Sequence, residues 1–219
     1  HNGGANWGSS AVDPKNGRLF VVSKELPTYD KLRAPETVSG AGAQRAAPPP
    51  GAPPRPPPQP PPNAGDDFVA YVAPVDFMIQ QNTGLSAIGP PWSQLTAYDL
   101  NKGTIMWQIP DGEVSKLAPT TGTGSHAPRG GVVATGGGLL FVGTSSDRKF
   151  RAYDADTGKV LWSFDLPAAQ EGVPAVYSAG GKQYVAIAVG GNGLFSQNLQ
   201  LPEAGPGQYM VFALDTAGP

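Results

Sequence analysis

The sequence contains no cysteine and only two histidines, His1 and His126. That excludes disulfides, thiolate nucleophiles, iron–sulfur clusters and Cys-ligated zinc, and any His-based metal site or Ser-His triad would rest on one of two residues. The compartment stays open on this ground, because either redox environment tolerates a chain without cysteine. Charge is scarce as well: 15% of the 219 residues are charged and the formal net charge is −2. No basic surface is on hand to neutralise a run of phosphates, so nucleic acid is not an expected partner. No stretch approaches the roughly 18 apolar residues that cross a bilayer as a helix, so no membrane span is expected in this segment, and no signal-peptide pattern opens it. The chain begins at His1-Asn2-Gly3-Gly4, in what reads as a turn, and so reads as a segment of something longer.

Glycine and proline are abundant, 30 and 25 residues, but the proline excess is local: eleven of the fifteen residues from Pro48 to Pro62 are proline. From about Asp30 to Asp67 large apolar side chains are almost absent, so this stretch cannot bury enough surface to offset its ordering entropy. It reads as a Pro-rich disordered insertion over 30–67, partly polyproline II, between a segment 1–29 and a longer segment 68–219. Its role is either a passive linker or a ligand for an aromatic groove.

The other residues carry an internal repeat. Leu95-Thr96-Ala97-Tyr98-Asp99-Leu100-Asn101-Lys102-Gly103-Thr104-Ile105-Met106-Trp107 aligns without a gap on Phe150-Arg151-Ala152-Tyr153-Asp154-Ala155-Asp156-Thr157-Gly158-Lys159-Val160-Leu161-Trp162, an offset of 55 residues. Ala11 to Phe20 is a weaker copy, and Val211-Phe212-Ala213-Leu214-Asp215 starts a further one that is cut off. Each copy predicts a β-hairpin: a strand ends in Asp, a polar turn holds a Gly for the positive φ, and a second strand ends in Trp. The Asp side chain can accept the turn's N–H groups and the Trp can cover a neighbouring unit. Short apolar strands separate the copies, at Gly131 to Thr135, Gly138 to Thr144, Val173 to Ser178 and Gln183 to Val189. Four strands per repeat with almost no helical periodicity predicts an all-β fold, a partial β-propeller of four-stranded antiparallel blades. Outside the insertion the chain suffices for roughly three to four blades of about 45–50 residues, fewer than a closed ring usually needs, so open edges and an unmatched apolar face are expected.

The Ala-x-Asp-x-x-Thr-Gly-Lys-x-x-Trp pattern of Ala152 to Trp162, degenerate in Ala97 to Trp107, resembles the tryptophan-docking motif of the quinoproteins, propeller dehydrogenases that use pyrroloquinoline quinone (PQQ). Gly3-Gly4-Ala5-Asn6-Trp7-Gly8 followed by Val12-Asp13-Pro14, then Pro90-Pro91-Trp92, Gly137-Gly138-Leu139-Leu140-Phe141-Val142-Gly143, and Gly181-Lys182-Gln183-Tyr184-Val185 ending in Gly190-Gly191, fall in the order of the C-terminal part of the membrane glucose dehydrogenase-like members. The resemblance implies oxidation of an alcohol or a glucose-like sugar hemiacetal in the periplasm, with electrons passed to ubiquinone or a cytochrome. It also implies a Ca²⁺ beside the quinone, with the metal ligands and the general base in the missing N-terminal propeller half. Asp13, Asp99 and Asp154 read as turn residues rather than bases. A non-catalytic propeller scaffold that binds protein is the alternative, since docking hairpins occur there too.

For the cofactor-binding residues, the resemblance places the Asn of the Gly-Gly-x-Asn-Trp segment, Asn6, against the quinone, with Trp7 beside it. A Gly-rich approach lets the backbone come close to a ligand, and the amide supplies donors and an acceptor. At Pro128-Arg129 the sequence departs from the family, where an Asn and an apolar residue commonly line the pocket. Arg129 either pairs with a cofactor carboxylate or is a surface residue of a loop tip. His126 reads as a loop histidine rather than a base, and Trp107 and Trp162 read as packing between blades.

Overall fold

The structure is a computed structural model that describes residues 3–5, 8, 10–32, 75–117, 121–193, 199 and 201–214. Among them it is all strand apart from one 3-10 turn at Ser115–Leu117. Strands β1 (Ala11–Asp13), β2 (Arg18–Lys24), β5 (Ser93–Asp99) and β6 (Thr104–Pro110) form one four-stranded sheet in the order β1-β2-β5-β6. Strands β7 (Val132–Ala134), β8 (Leu139–Gly143), β9 (Lys149–Asp154) and β10 (Val160–Asp165) form the next, and β11 (Ala175–Ala179), β12 (Lys182–Val189) and β13 (Gln208–Ala213) a third of three strands. All pairings are antiparallel. The apolar segments expected between the repeats are β7, β8, β11 and β12.

The repeat is visible in the hydrogen-bond register. Ala97 faces Trp107 and Tyr98 faces Ile105, with a bulge between; Ala152 faces Trp162 and Tyr153 faces Val160, with a bulge at the same place. One extra residue before each Trp turns the ring out of the alternation and toward the next unit. The turn carboxylates act as the sequence predicts: Asp13 accepts from the N–H of Lys15 (3.1 Å), Asp99 from that of Asn101 (3.0 Å) and Asp154 from that of Asp156 (3.0 Å). The Asn16 amide on Asp13 and the Thr157 hydroxyl on Asp154 hold these carboxyls below the usual range, which suits turn anchors and not proton acceptors. The weak first copy differs in place, since it forms the β1–β2 hairpin, whereas the stronger two form β5–β6 and β9–β10.

Trp107 leaves β6 and lies on the β9–β10 turn of the second sheet. Its indole N–H donates to the Ala155 carbonyl (3.1 Å), and Gly158, at φ +71°, leaves no room between turn and ring, because a Cβ there would sit 2.8 Å from the indole. An ion pair of Arg18 with Asp156 ties the same turn to β2. Trp162, 39% exposed, leaves β10 equivalently and meets Phe212 of β13, ring centroids 5.4 Å apart. At Gly103, which matches Gly158 in the first sheet with φ +68°, no atom among the described residues lies within 4 Å of where a Cβ would be. The cores lie between sheets: Phe20, Val22, Leu95 and Ala97 of the first pack on Val132, Leu140, Val142 and Tyr153 of the second, and Phe150 of the second on Val185, Ile187 and Val189 of the third.

Strands β2 and β5 pair from Arg18↔Asp99 to Lys24↔Ser93, so the intervening chain leaves and returns at one end of a single ladder. Within it, Thr28–Met78 is a unit of its own in which β3 (Thr28–Asp30) pairs with β4 (Val75–Phe77). The proline tract, Pro48 to Pro62, lies outside the described residues.

Candidate functional site

Gly3 and Gly4 run beside the end of β2. Gly4 makes an isolated antiparallel bridge with Lys24, its N–H donating to the Lys24 carbonyl (2.8 Å) and its carbonyl accepting the Lys24 N–H (3.2 Å). A few residues on, Gly8 comes so near the Gly130 carbonyl that a Cβ would stand 2.3 Å from it, and only glycine fits. Gly4, Gly8, Val22, Lys24, Pro128 and Gly130 thus line one small cleft. The structure therefore brings the flanks of the Asn6-Trp7 pair together with the flanks of Arg129. Asn6 and Trp7 themselves lie outside the described residues, and Arg129 is half-buried.

Lys24 is the residue that sequence reasoning missed. It is 3% exposed, and its ammonium donates to the Pro128 carbonyl at 3.0 Å, the one hydrogen bond it makes among the described residues out of three N–H donors. Burial first, then the Arg129 charge, bring its pKa down to about 8 against the pull of Glu171. A signal was present: Phe20, Val22 and Lys24 alternate on the buried face of β2, and a lysine continuing the apolar face of a strand is not a solvent-facing lysine.

His126 is a structural histidine of the adjacent loop. It is buried, its Nε2 accepts the Ser86 N–H (2.9 Å), its backbone N–H donates to the Ser146 hydroxyl (2.7 Å), and Trp92 meets its ring edge-on. Burial and the Lys24 charge bring its pKa down to about 4, so it is neutral at neutral pH. Pro90-Pro91-Trp92 thereby acquires a packing role, with the Trp92 indole donating to the Ser86 carbonyl (3.1 Å).

A second set of buried charges lies at the end of β6. Arg151 pairs with Asp147 and donates to the Thr144 hydroxyl (3.0 Å), while Asp111 is 0% exposed with neither carboxylate oxygen hydrogen-bonded. Burial, opposed by Arg151 and assisted by Asp147, pushes the Asp111 carboxyl up to about 7. Among the described residues no group of three or more His, Cys, Asp or Glu is placed to hold a metal ion, and no helix is long and apolar enough to cross a membrane.

Successive antiparallel sheets, the first and second each sending an indole onto the next, define a β-propeller. The chain belongs to the PQQ-dependent dehydrogenase family: residues 1–185 match the β-propeller domain of the glucose/ethanol/alcohol dehydrogenases. Among its relatives is the glycerol dehydrogenase large subunit of Gluconobacter thailandicus, 35% identical over 88% of this chain and 27% of the relative. Another is the quinate/shikimate dehydrogenase (quinone) of Acinetobacter baylyi, 31% identical over 86% of this chain and 23% of the relative. A europium-containing methanol dehydrogenase structure superposes with a TM-score of 0.59 at 25% identity, covering 94% of this chain and 32% of that one. The chain spans about a quarter of the length of the curated relatives it matches.

The chain's own donors fit an anionic quinone on one wall. A tricarboxylate such as PQQ needs cations in a place where the backbone can approach closely, and the cleft wall carries the buried Lys24 ammonium with glycines on both sides.

Proposed function

We propose that this chain forms one wall of the PQQ site in a periplasmic quinoprotein dehydrogenase that oxidises a small alcohol, polyol or glucose-like sugar hemiacetal and passes the electrons to ubiquinone or a cytochrome. The observation that carries this reading is the cleft where Gly4 and Gly8 meet Lys24 and Pro128 to Gly130, in a chain of this family. The quinone, when bound, supplies the two-electron acceptor. The chain's residues supply placement: Asn6, by the family resemblance, offers amide donors and an acceptor to the cofactor's oxygens, Trp7 stands beside it, and Arg129 pairs with a carboxylate. Fixing the ring in one orientation is a contribution of position rather than of bond making. By the family resemblance, Ca²⁺, its ligands and the base that takes the hydroxyl proton belong to the propeller half outside this chain.

The test is equilibrium titration of the full-length apoprotein with PQQ. Asn6→Ala is expected to keep the fold and weaken binding by about 1–3 kcal/mol, the range for a polar group left unmatched in a buried site. Equal affinities in wild type and variant would make Asn6 a turn residue.

A further inference from the structure

We propose that Asp111 is a proton-dependent latch between the first and second sheets: with its proton on, Arg151 serves Asp147 alone, and with the proton off, two carboxylates compete for one guanidinium. The backbone of Asp111 is tied down. Its N–H donates to the Ser93 carbonyl (3.1 Å), and its own carbonyl accepts from the Ser125 N–H (2.6 Å) and the Ser93 hydroxyl (3.0 Å). The side chain therefore has a fixed place, fully buried, yet neither carboxylate oxygen meets a donor among the described residues. A buried carboxylate without donors is costly, and a proton is the smallest group that removes its charge. Across the junction the second sheet presses close: a Cβ on Gly112, at φ +73°, would stand 2.9 Å from the Thr144 methyl. Asp147 accepts from the Glu113 N–H of the first sheet's turn (3.1 Å), from the Thr144 hydroxyl and from Arg151. One carboxylate of the pair is thus fully used and the other is not.

Few charged or titratable groups surround Asp111. The start of β5 at Ser93 and the segment Thr123 to Ser125 bring none, and its own turn brings Glu113, which meets the cluster through its backbone N–H. The second sheet brings Arg151, Asp147 and Tyr153, whose phenol is kept neutral by burial and by the Asp111 charge. Arg151 favours ionisation of Asp111 and Asp147 opposes it. In the folded protein the carboxyl titrates at about pH 7, above the ordinary aspartate value of 3.8, so opening the junction to water releases a proton between these values. The hold of the latch is complete below about pH 4, declines as pH rises to about 7, and is level beyond. Removing the Asp147 charge lowers the pH at which the decline ends, and removing the Arg151 charge raises it.

The experiment is hydrogen exchange of the full-length protein between pH 4.5 and 8.5, read by mass spectrometry on peptides covering 112–117 and 144–151, with rates corrected for the intrinsic effect of pH. In wild type the protection of both segments is expected to fall by up to about tenfold per pH unit and to level off near pH 7. In Asp111→Asn, which has no proton to lose, protection is expected to stay flat. The levelling point should move down by about one pH unit or more in Asp147→Asn and up by a similar amount in Arg151→Met. If Arg151→Met fails to fold, Asp147→Asn decides, because a buried acid not linked to that pair keeps its levelling point. Protection in wild type that does not change with pH overturns the latch, as does a fall that persists in Asp111→Asn. A last comparison at pH 8 exchanges tetramethylammonium chloride for sodium or potassium chloride at equal ionic strength, with no change expected. Protection regained in wild type but not in Asp111→Asn would show that a metal cation, and not a proton, completes the carboxylate, and would overturn the proposal.

Discussion

Gly158→Ala is expected to destabilise the protein by about 2–5 kcal/mol. Two effects add: a left-handed backbone, φ +71°, imposed on a residue with a Cβ, worth about 1–2 kcal/mol, and a methyl group 2.8 Å from the Trp107 ring, in the range of about 1–3 kcal/mol for overpacking. Trp107→Ala removes the ring and its bond to Ala155, and since the ring is only half-buried the loss should fall at or below the roughly 3–5 kcal/mol of a fully buried aromatic. The decisive measurement is the double-mutant cycle by chemical denaturation. With the indole gone, the added methyl meets nothing, and Gly158→Ala should cost only the backbone part, about 1–2 kcal/mol. Strict additivity would mean that ring and turn do not touch.

Asp111→Asn should act in the opposite direction and depend on pH. The carboxyl's folded pKa, about 7, lies above the ordinary aspartate value of 3.8, so between these values the folded state holds a proton that the unfolded chain has released. This group's contribution to stability is therefore greatest below about pH 4, declines as pH rises to about 7, and is level beyond. At about 1.4 kcal/mol per pKa unit the whole decline amounts to about 4 kcal/mol. The amide has no proton to lose, so the variant should exceed wild type by about 2–4 kcal/mol at pH 8 and match it within about 1 kcal/mol at pH 4.5. Denaturation midpoints at the two pH values read this directly, and a wild-type stability that does not fall between them would show that the buried carboxylate is satisfied.

Much of the fold could be read before any coordinates because the docking hairpin repeats itself. Ala, Tyr, Asp, Gly and Trp recur at a fixed offset, and each has a distinct physical task, so strand, turn, bulge and inter-sheet contact come as a set. The degenerate copy at Ala11 to Phe20 shows the limit: its Asp and Gly identify a hairpin, but nothing in them says that it occupies the β1–β2 position. Around the cleft the sequence was informative only where glycine marks a close approach, as at Gly8. Lys24 was passed over because a lysine at a strand end is usually solvated; its burial comes from Pro128 to Gly130, which joins β2 only in three dimensions. Asp111 gave no signal for a similar reason: the groups around it are distant in the chain, Arg151 and Asp147 acting on its carboxyl and the Ser93 hydroxyl donating to its backbone carbonyl.

The indole of Trp107 and the glycine of Gly158 also have a consequence for symmetry. Each hairpin carries both halves of the contact, a ring on its second strand and a glycine in its turn, so the contact is heterologous: the surface offered is unlike the surface received. Gly103 presents the receiving half and Trp162 the offering half. Contacts of this kind cannot pair like with like about a twofold axis. Repeated with a constant rotation they either close into a ring or continue as an open helix, and the rotation between consecutive sheets, rather than the strength of any one contact, decides how many of them complete the circle.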